Sequence, residues 1–344
     1  MRIARLISCS SALLLFCSPL LAQPATELLP DPAELARVEA SVDKALEYLV
    51  GKQAPDGSWP SKLGPRNNGV SALCLLAFLG RGHTPGRGPL APVVDRGLAY
   101  LLSTQDKRGL YASPDKSHGP MYDHALSTLA VIEACGYLPD PAVRQSAQRA
   151  IDLIVKSQNN EGGWRYQPVP QDADLSVTVM QVVALRAAVN ARLRVPEKTL
   201  EKALAYVRSC AVPDGGFGYQ GPSNPGPART AAGVLSLQLL GAFDDPAARK
   251  GLDYLDKHNV GERKHEHFWY TAYYAMQAHF QAGGGDWQRF HPRLRERLLE
   301  WQQSDGSWPG FNEEKIAGED KCYSTAMGAM CLEVYMHYLP AYQR

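Results

Sequence analysis

One short turn recurs along this chain about every fifty residues, and no other feature of the sequence constrains the fold as strongly. It reads QAPDGSW from Gln53, QDKRGLY from Gln105, QNNEGGW from Gln158, AVPDGGF from Ala211 and QQSDGSW from Gln302. Its aromatic ends fall at Trp59, Tyr111, Trp164, Phe217 and Trp308, with intervals of 52, 53, 53 and 91 residues. The long last interval hides a further unit. GLDYLDKHN from Gly251 matches GLAYLLSTQ from Gly97, which puts Asn259 at the glutamine position and His265 at the aromatic position. The chain therefore holds six units, and in the fifth the loop after the turn is short.

Each turn follows a run such as Val143 to Ser157, whose apolar residues Val143, Ala147, Ala150, Ile151, Ile154 and Val155 recur at helical spacing along one stripe. After each turn comes a run with little polar face, such as VSALCLLAFLG from Val70 or YSTAMGAMCLEVYMHY from Tyr323. The first pattern predicts outer, half-exposed helices and the second predicts buried inner ones. An open stack of helix pairs needs polar terminal faces, yet the first and last inner runs are as apolar as the middle ones. Closing the stack on itself removes that conflict. The expected fold is all-α, an α6/α6 toroid of six helical hairpins forming one domain over residues 35–344. In each turn a glycine supplies the left-handed conformation and the aromatic covers the junction, so Gln53, Gly57, Trp59, Gln158, Gly162, Trp164, Gln302, Gly306 and Trp308 read as structural.

Ahead of the repeats, Arg2 and Arg5 precede an apolar run from Leu6 to Ala22, the pattern of a signal peptide over residues 1–22. Residues 23–34 read as a linker, and the product is expected to be exported, periplasmic or extracellular, with no transmembrane span once the signal is removed. A formal charge of +1 gives no reason to expect a nucleic-acid partner. Cys74, Cys135, Cys210, Cys322 and Cys331 remain after the signal, mostly inside apolar runs, which predicts buried free thiols.

At these turns the sequence resembles the terpenoid cyclase and protein prenyltransferase superfamily, squalene cyclase-like proteins whose toroids carry the repeat Q-x-x-x-G-x-W. Three turns match it fully, and the resemblance spans about residues 35 to 342. In class II terpene cyclases a D-x-D-D segment starts an inner helix and its middle acid protonates an alkene or epoxide. The corresponding stretch here is Asp172-Ala173-Asp174-Leu175, so the resemblance puts Asp174 in the place of the acid. Leu175 departs from the pattern, and an N-cap at Asp174 or Ser176 accounts for the same residues. Protein prenyltransferase β subunits bind zinc through an Asp-x-Cys followed by Tyr and a later His. Asp320-Lys321-Cys322-Tyr323 copies the first part, with His265 or His267 as the histidine. No cofactor is expected, and zinc on Asp320, Cys322 and His267 is the alternative.

Inner helices that run parallel bring their N-termini to one rim, so polar residues there ring an apolar bore. The catalytic candidates on that rim are Asp174, Asp172, His124 and Asp123. The ligand-binding candidates are Arg229, His267, Trp269, Tyr270, Tyr273, Tyr274 and Tyr323, whose aromatics can hold an apolar ligand or a carbocation. The leading functional reading is a squalene cyclase-like toroid that binds a hydrophobic, isoprenoid-like small molecule, an intramolecular transferase or isomerase if it is an enzyme. Two others stand beside it. One is a non-catalytic periplasmic scaffold or binding toroid with an unknown protein partner. The other is a carbohydrate-active toroid, lyase or hydrolase, pairing Asp123 with Asp172 or Asp174 across a groove.

Overall fold

The computed structural model describes residues 31–115, 118–260, 262, 267–310, 321–334 and 336. The signal segment, His265 and Asp320 lie outside them. The described residues form twelve helices: α1 (Pro32–Val50), α2 (Asn68–Gly80), α3 (Ala91–Ser103), α4 (Pro120–Cys135), α5 (Pro141–Ser157) and α6 (Leu175–Asn190), followed by α7 (Glu197–Ser209), α8 (Pro227–Leu239), α9 (Pro246–Lys257), α10 (Phe268–Ala282), α11 (Gly284–Trp301) and α12 (Lys321–Leu332). Among them there is no strand, and pairing outside helices is confined to three isolated bridges, two of which close turns at Gln105–Tyr111 and Ala211–Phe217.

The fold follows from where each helix is apolar. Every residue of α2 is buried, whereas α5 buries mainly one stripe that includes Val143, Ala147, Ala150, Ile151 and Ile154. A helix apolar on all sides must sit inside, and one with a single apolar stripe belongs on the perimeter. The even-numbered helices accordingly form an inner ring, each packed on the next from α2 to α12, and α12 returns to pack on α2. The odd-numbered helices pack outside them. Starts are set locally: Asp31, Asn67, Asp140, Asp174 and Asp245 cap α1, α2, α5, α6 and α9 with their side-chain oxygens. Because Asp31 caps it, α1 begins at Pro32, inside the stretch read from sequence as linker.

Where it carries a glutamine, the recurring turn ties one outer helix to the next outer one. Gln158 Nε2 donates to the Gly162 carbonyl across its own turn and to the Thr199 carbonyl in α7, both at 2.9 Å. Gln53 and Gln105 make the same pair of bonds, reaching Val93 and Ser146. Gly162 holds φ +103°, and a Cβ there would collide with the Lys202 carbonyl, so the turn admits only glycine. The indoles of Trp59, Trp164 and Trp308 donate to the carbonyls of Leu49, Ile154 and Leu298 at 2.7–2.8 Å.

The last copy of this device closes the ring. Gln302 Nε2 donates to the Ser41 carbonyl, and Ser41 Oγ donates back to Gln302 Oε1, both at 2.8 Å across 261 residues of sequence. Beside it, the buried Arg295 guanidinium grips Glu34 through both terminal nitrogens at 3.0 and 2.7 Å. Gln302→Ala removes both bonds to Ser41 and the bond across its own turn, with an expected cost of about 1–3 kcal/mol. Urea denaturation should show a lower midpoint with an unchanged slope. An unchanged midpoint would mean that the seam does not need this residue.

The fifth unit is shortened at both rims, not only in the loop before its inner helix. On the opposite rim a single residue, Gly283 at φ +67°, joins α10 to α11.

Candidate functional site

The N-termini of the inner helices meet at one rim, and a cavity of about 530 Å³ opens there into the ring. That lies within the roughly 300–1,000 Å³ of small-molecule sites. Every inner helix or its start contributes to the lining. Leu73, Leu126 and Met180 come from the second turns of α2, α4 and α6, Ala228, Tyr270 and Tyr323 from the first turns of the other three. Ser61, Asn67, His118, Asp123 and His267 bring polar atoms.

One wall is made of tyrosines. Tyr166 and Tyr219 each stand two residues after a turn aromatic, Trp164 and Phe217, and Ser61 stands two after Trp59; all three line the cavity. The backbone N–H groups of these aromatics donate to hydroxyls of the inner helices, Trp59 to Ser71, Trp164 to Thr178 and Phe217 to Thr230. This anchoring fixes the strand of chain that follows, so the side chain two positions on faces the mouth. The hydroxyls of Tyr166 and Tyr219 share a 2.5 Å hydrogen bond, and the Tyr122 ring lies 5.8 Å from that of Tyr166. Behind this pair the Arg165 guanidinium sits 5.0 Å from the Tyr166 ring and 5.8 Å from the Tyr219 ring, in cation–π range of both.

Two carboxyls stand at the site in different ways. Asp123 lines the cavity from the first turn of α4, with Oδ2 accepting from the Ser113 N–H at 3.2 Å and from Ser113 Oγ at 2.6 Å. Gly69 leaves room for it, since a Cβ there would come within 3.0 Å of Asp123 Oδ1. Asp174 does not line the cavity. It caps α6 by accepting the Val177 N–H at 2.9 Å, and it is wholly buried beside Tyr219. Burial raises its pKa, against the opposing pull of its hydrogen-bond donors and of Arg165 at 3.8 Å. Asp172 is exposed and paired with Arg165 at 3.0 Å.

Of the residues expected on the rim, Asp123, His267, Tyr270 and Tyr323 meet in the cavity, and the rest lie elsewhere. His124 belongs to the frame. Its Nδ1 accepts the Tyr111 N–H at 3.2 Å and its Nε2 faces the Ala150 carbonyl at 3.1 Å, so it fills the position that serine or threonine holds in the other turns. Arg229 folds against Gly226. Trp269 is core, its indole donating to the Pro309 carbonyl at 3.1 Å. Tyr273 and Tyr274 are buried below the cavity. Sequence reasoning passed over Tyr122, Tyr166, Tyr219 and Arg165. The two loop tyrosines had a signal, their common place two residues after a turn aromatic.

The described residues include Cys322 and His267 of the alternative zinc set. Cys322 is buried with its carbonyl 3.9 Å from Cys74 Sγ, and among the described residues no three His, Cys, Asp or Glu side chains converge to hold a metal. Asp320 is outside those residues.

The model of the prenyltransferase alpha-alpha toroid domain matches residues 93–336. The chain belongs to that family. Along 195 residues the toroid is 28% identical to drimenyl diphosphate synthase of Streptomyces showdoensis, a match covering 56% of this chain and 34% of the synthase. The toroid thus spans about a third of that relative. Among solved structures it is similar to the type II terpene cyclase MstE of Scytonema with its product merosterolic acid A, at 15% identity and a TM-score of 0.59, over 88% of this chain and 99% of that one. Cellobiose 2-epimerase of Spirochaeta thermophila shares the fold at 13% identity and a TM-score of 0.65, over 90% and 98%. At these identities the structural matches speak to fold alone. The described helices include none long and apolar enough to cross a membrane.

Proposed function

We propose that this toroid is an exported protein that binds a hydrophobic, isoprenoid-like molecule in the cavity at the N-terminal rim. The observation that carries the reading is the cavity itself: an apolar floor of Leu73, Leu126 and Met180 under a wall of tyrosines. Apolar area taken from water supplies the affinity, and the tyrosine faces suit an alkene or a developing positive charge. The relatives add support, since MstE has been solved with geranylgeranyl dihydroxybenzoate as substrate. Chemistry in this reading falls to Asp174, whose burial favours the protonated form that an acid must have. The carboxyl has no face on the cavity, so Asp174 gives its proton to the Tyr219 oxygen as the Tyr219 O–H gives its own to the substrate alkene, which leaves Asp174 as the carboxylate.

Native mass spectrometry of the protein purified from an exporting host, followed by lipid extraction, tests binding. Retention of an isoprenoid lipid is expected, and Leu126→Trp, which fills the floor, should abolish it. With a polyprenyl substrate, Asp174→Asn should leave binding intact and remove any cyclised product. Retention of a sugar in place of a lipid would move the function to the carbohydrate reading, with Asp123 as its cavity-lining carboxylate. Amino-terminal sequencing of the secreted product should start near Gln23, and an intact Met1 would refute export by cleavage.

A further inference from the structure

In the inner ring α8 stands between α6 and α10 and packs on both. Tyr270, in the first turn of α10, nevertheless reaches past α8 to α6, where its hydroxyl donates to the Ser176 carbonyl at 3.4 Å. That bond is long, so what matters is the ring, which lies across the bore as a bar. The phenol lines the cavity and also packs on Tyr274 one turn deeper, ring centroids 4.5 Å apart. Tyr274 in turn meets Tyr273 at 5.1 Å, and both are buried along with Gln277, the next residue down this face. Lining residues on the other inner helices reach no deeper than the second turn, at Leu73, Leu126 and Met180 on α2, α4 and α6, and stop at the first turn on α8 and α12. The cavity is therefore open above Tyr270 and filled below it.

We propose that Tyr270 is the residue that sets how long a hydrophobic chain this cavity accepts, by stopping a chain that enters from the rim. The proposal rests on the reading of the cavity as a hydrophobic-chain site. Removing the ring and hydroxyl vacates roughly the space of one isoprene unit, bounded below by Tyr274. Each additional buried methylene strengthens binding by about fourfold, so one more isoprene unit has a measurable effect even when it is partly buried.

The test is calorimetric titration of geraniol, farnesol and geranylgeraniol, neutral prenyl alcohols of increasing length, into the wild type, Tyr270→Ala and Tyr270→Phe. For Tyr270→Ala the preferred alcohol should be one isoprene unit longer, with the affinity ratio of longer to shorter raised by at least about tenfold. Tyr270→Phe keeps the ring and should keep the wild-type length preference. If the alanine variant does not fold, Tyr270→Leu serves, with a smaller shift in the same direction. An alanine or leucine variant that ranks the alcohols as the wild type does would overturn the role of Tyr270 and leave the cavity reading standing. Failure of all three alcohols to bind the wild type would overturn the cavity reading, and the role of Tyr270 with it.

Discussion

Lowering the pH from about 6.5 to about 4 should cost this protein several kcal/mol of stability, because three buried histidines fold in the neutral form. Burial lowers the pKa of His124 to about 4 and that of His279 to about 3. Burial together with the neighbouring Arg295 lowers that of His291 to about 4. The structural reasons are separate for each. Protonating His124 at Nδ1 would break its bond from the Tyr111 N–H. His279 lies flat against Phe290 at 3.9 Å, and neither ring nitrogen has a partner. A charged His291 would face the Arg295 guanidinium at 3.3 Å.

Each group has a folded pKa below its ordinary value of 6.5, so its contribution is complete above that pH and is lost as the pH falls toward the folded value. Each is worth about 3 kcal/mol by pH 4, at 1.36 kcal/mol per unit. The buried carboxyls of Asp174 and Glu333 act in the opposite direction, since burial raises both and their protonation favours the folded state as pH falls. Urea unfolding at a series of pH values measures the sum. His279→Phe should flatten the profile by about 3 kcal/mol between pH 6.5 and 4. A His279→Phe profile that runs parallel to the wild type over that window would refute the neutral burial of His279.

Trp164→Ala should be the most damaging single change in the turns, at about 3–5 kcal/mol for the vacated core, with about 1 kcal/mol more for the stranded Ile154 carbonyl. Trp164 is almost wholly buried, and its indole holds that carbonyl at 2.7 Å. It also anchors the segment that carries Arg165 and Tyr166 into the site, so prenyl-alcohol binding should weaken along with stability. Trp164→Phe keeps most of the packing and loses the donor, with an expected cost of about 1–2 kcal/mol. Thermal and urea unfolding compare the two, and an alanine variant within about 1 kcal/mol of the wild type would contradict the anchoring role.

The frame was readable because its signals are local and repeated. A glutamine, a glycine and an aromatic at fixed spacing reported the turn, and the contrast between striped and fully apolar runs separated outer from inner helices. Asp174 was readable only as a pair of alternatives, acid or helix cap. The structure shows it capping α6 with its carboxyl buried beside Tyr219. His124 misled because a histidine at a helix start is unusual, and the sequence does not show that the turn needs an acceptor at that position. The aromatic stripe from Tyr270 to Tyr274 divides in the structure: Tyr270 faces the cavity, and Tyr273 and Tyr274 are packing beneath it.

By itself the sequence determined the repeat, the helix pairs and the need to close them, since each follows from residue spacing along the chain and from apolar surface that must be covered. Only the tertiary structure decided which side chains share the cavity. Asp123, Tyr166, Tyr219 and Tyr270 come from different units, and their approach depends on how the inner helices are rotated and how deep the bore is filled. Those quantities are set by packing between segments far apart in sequence, where no spacing along the chain records them.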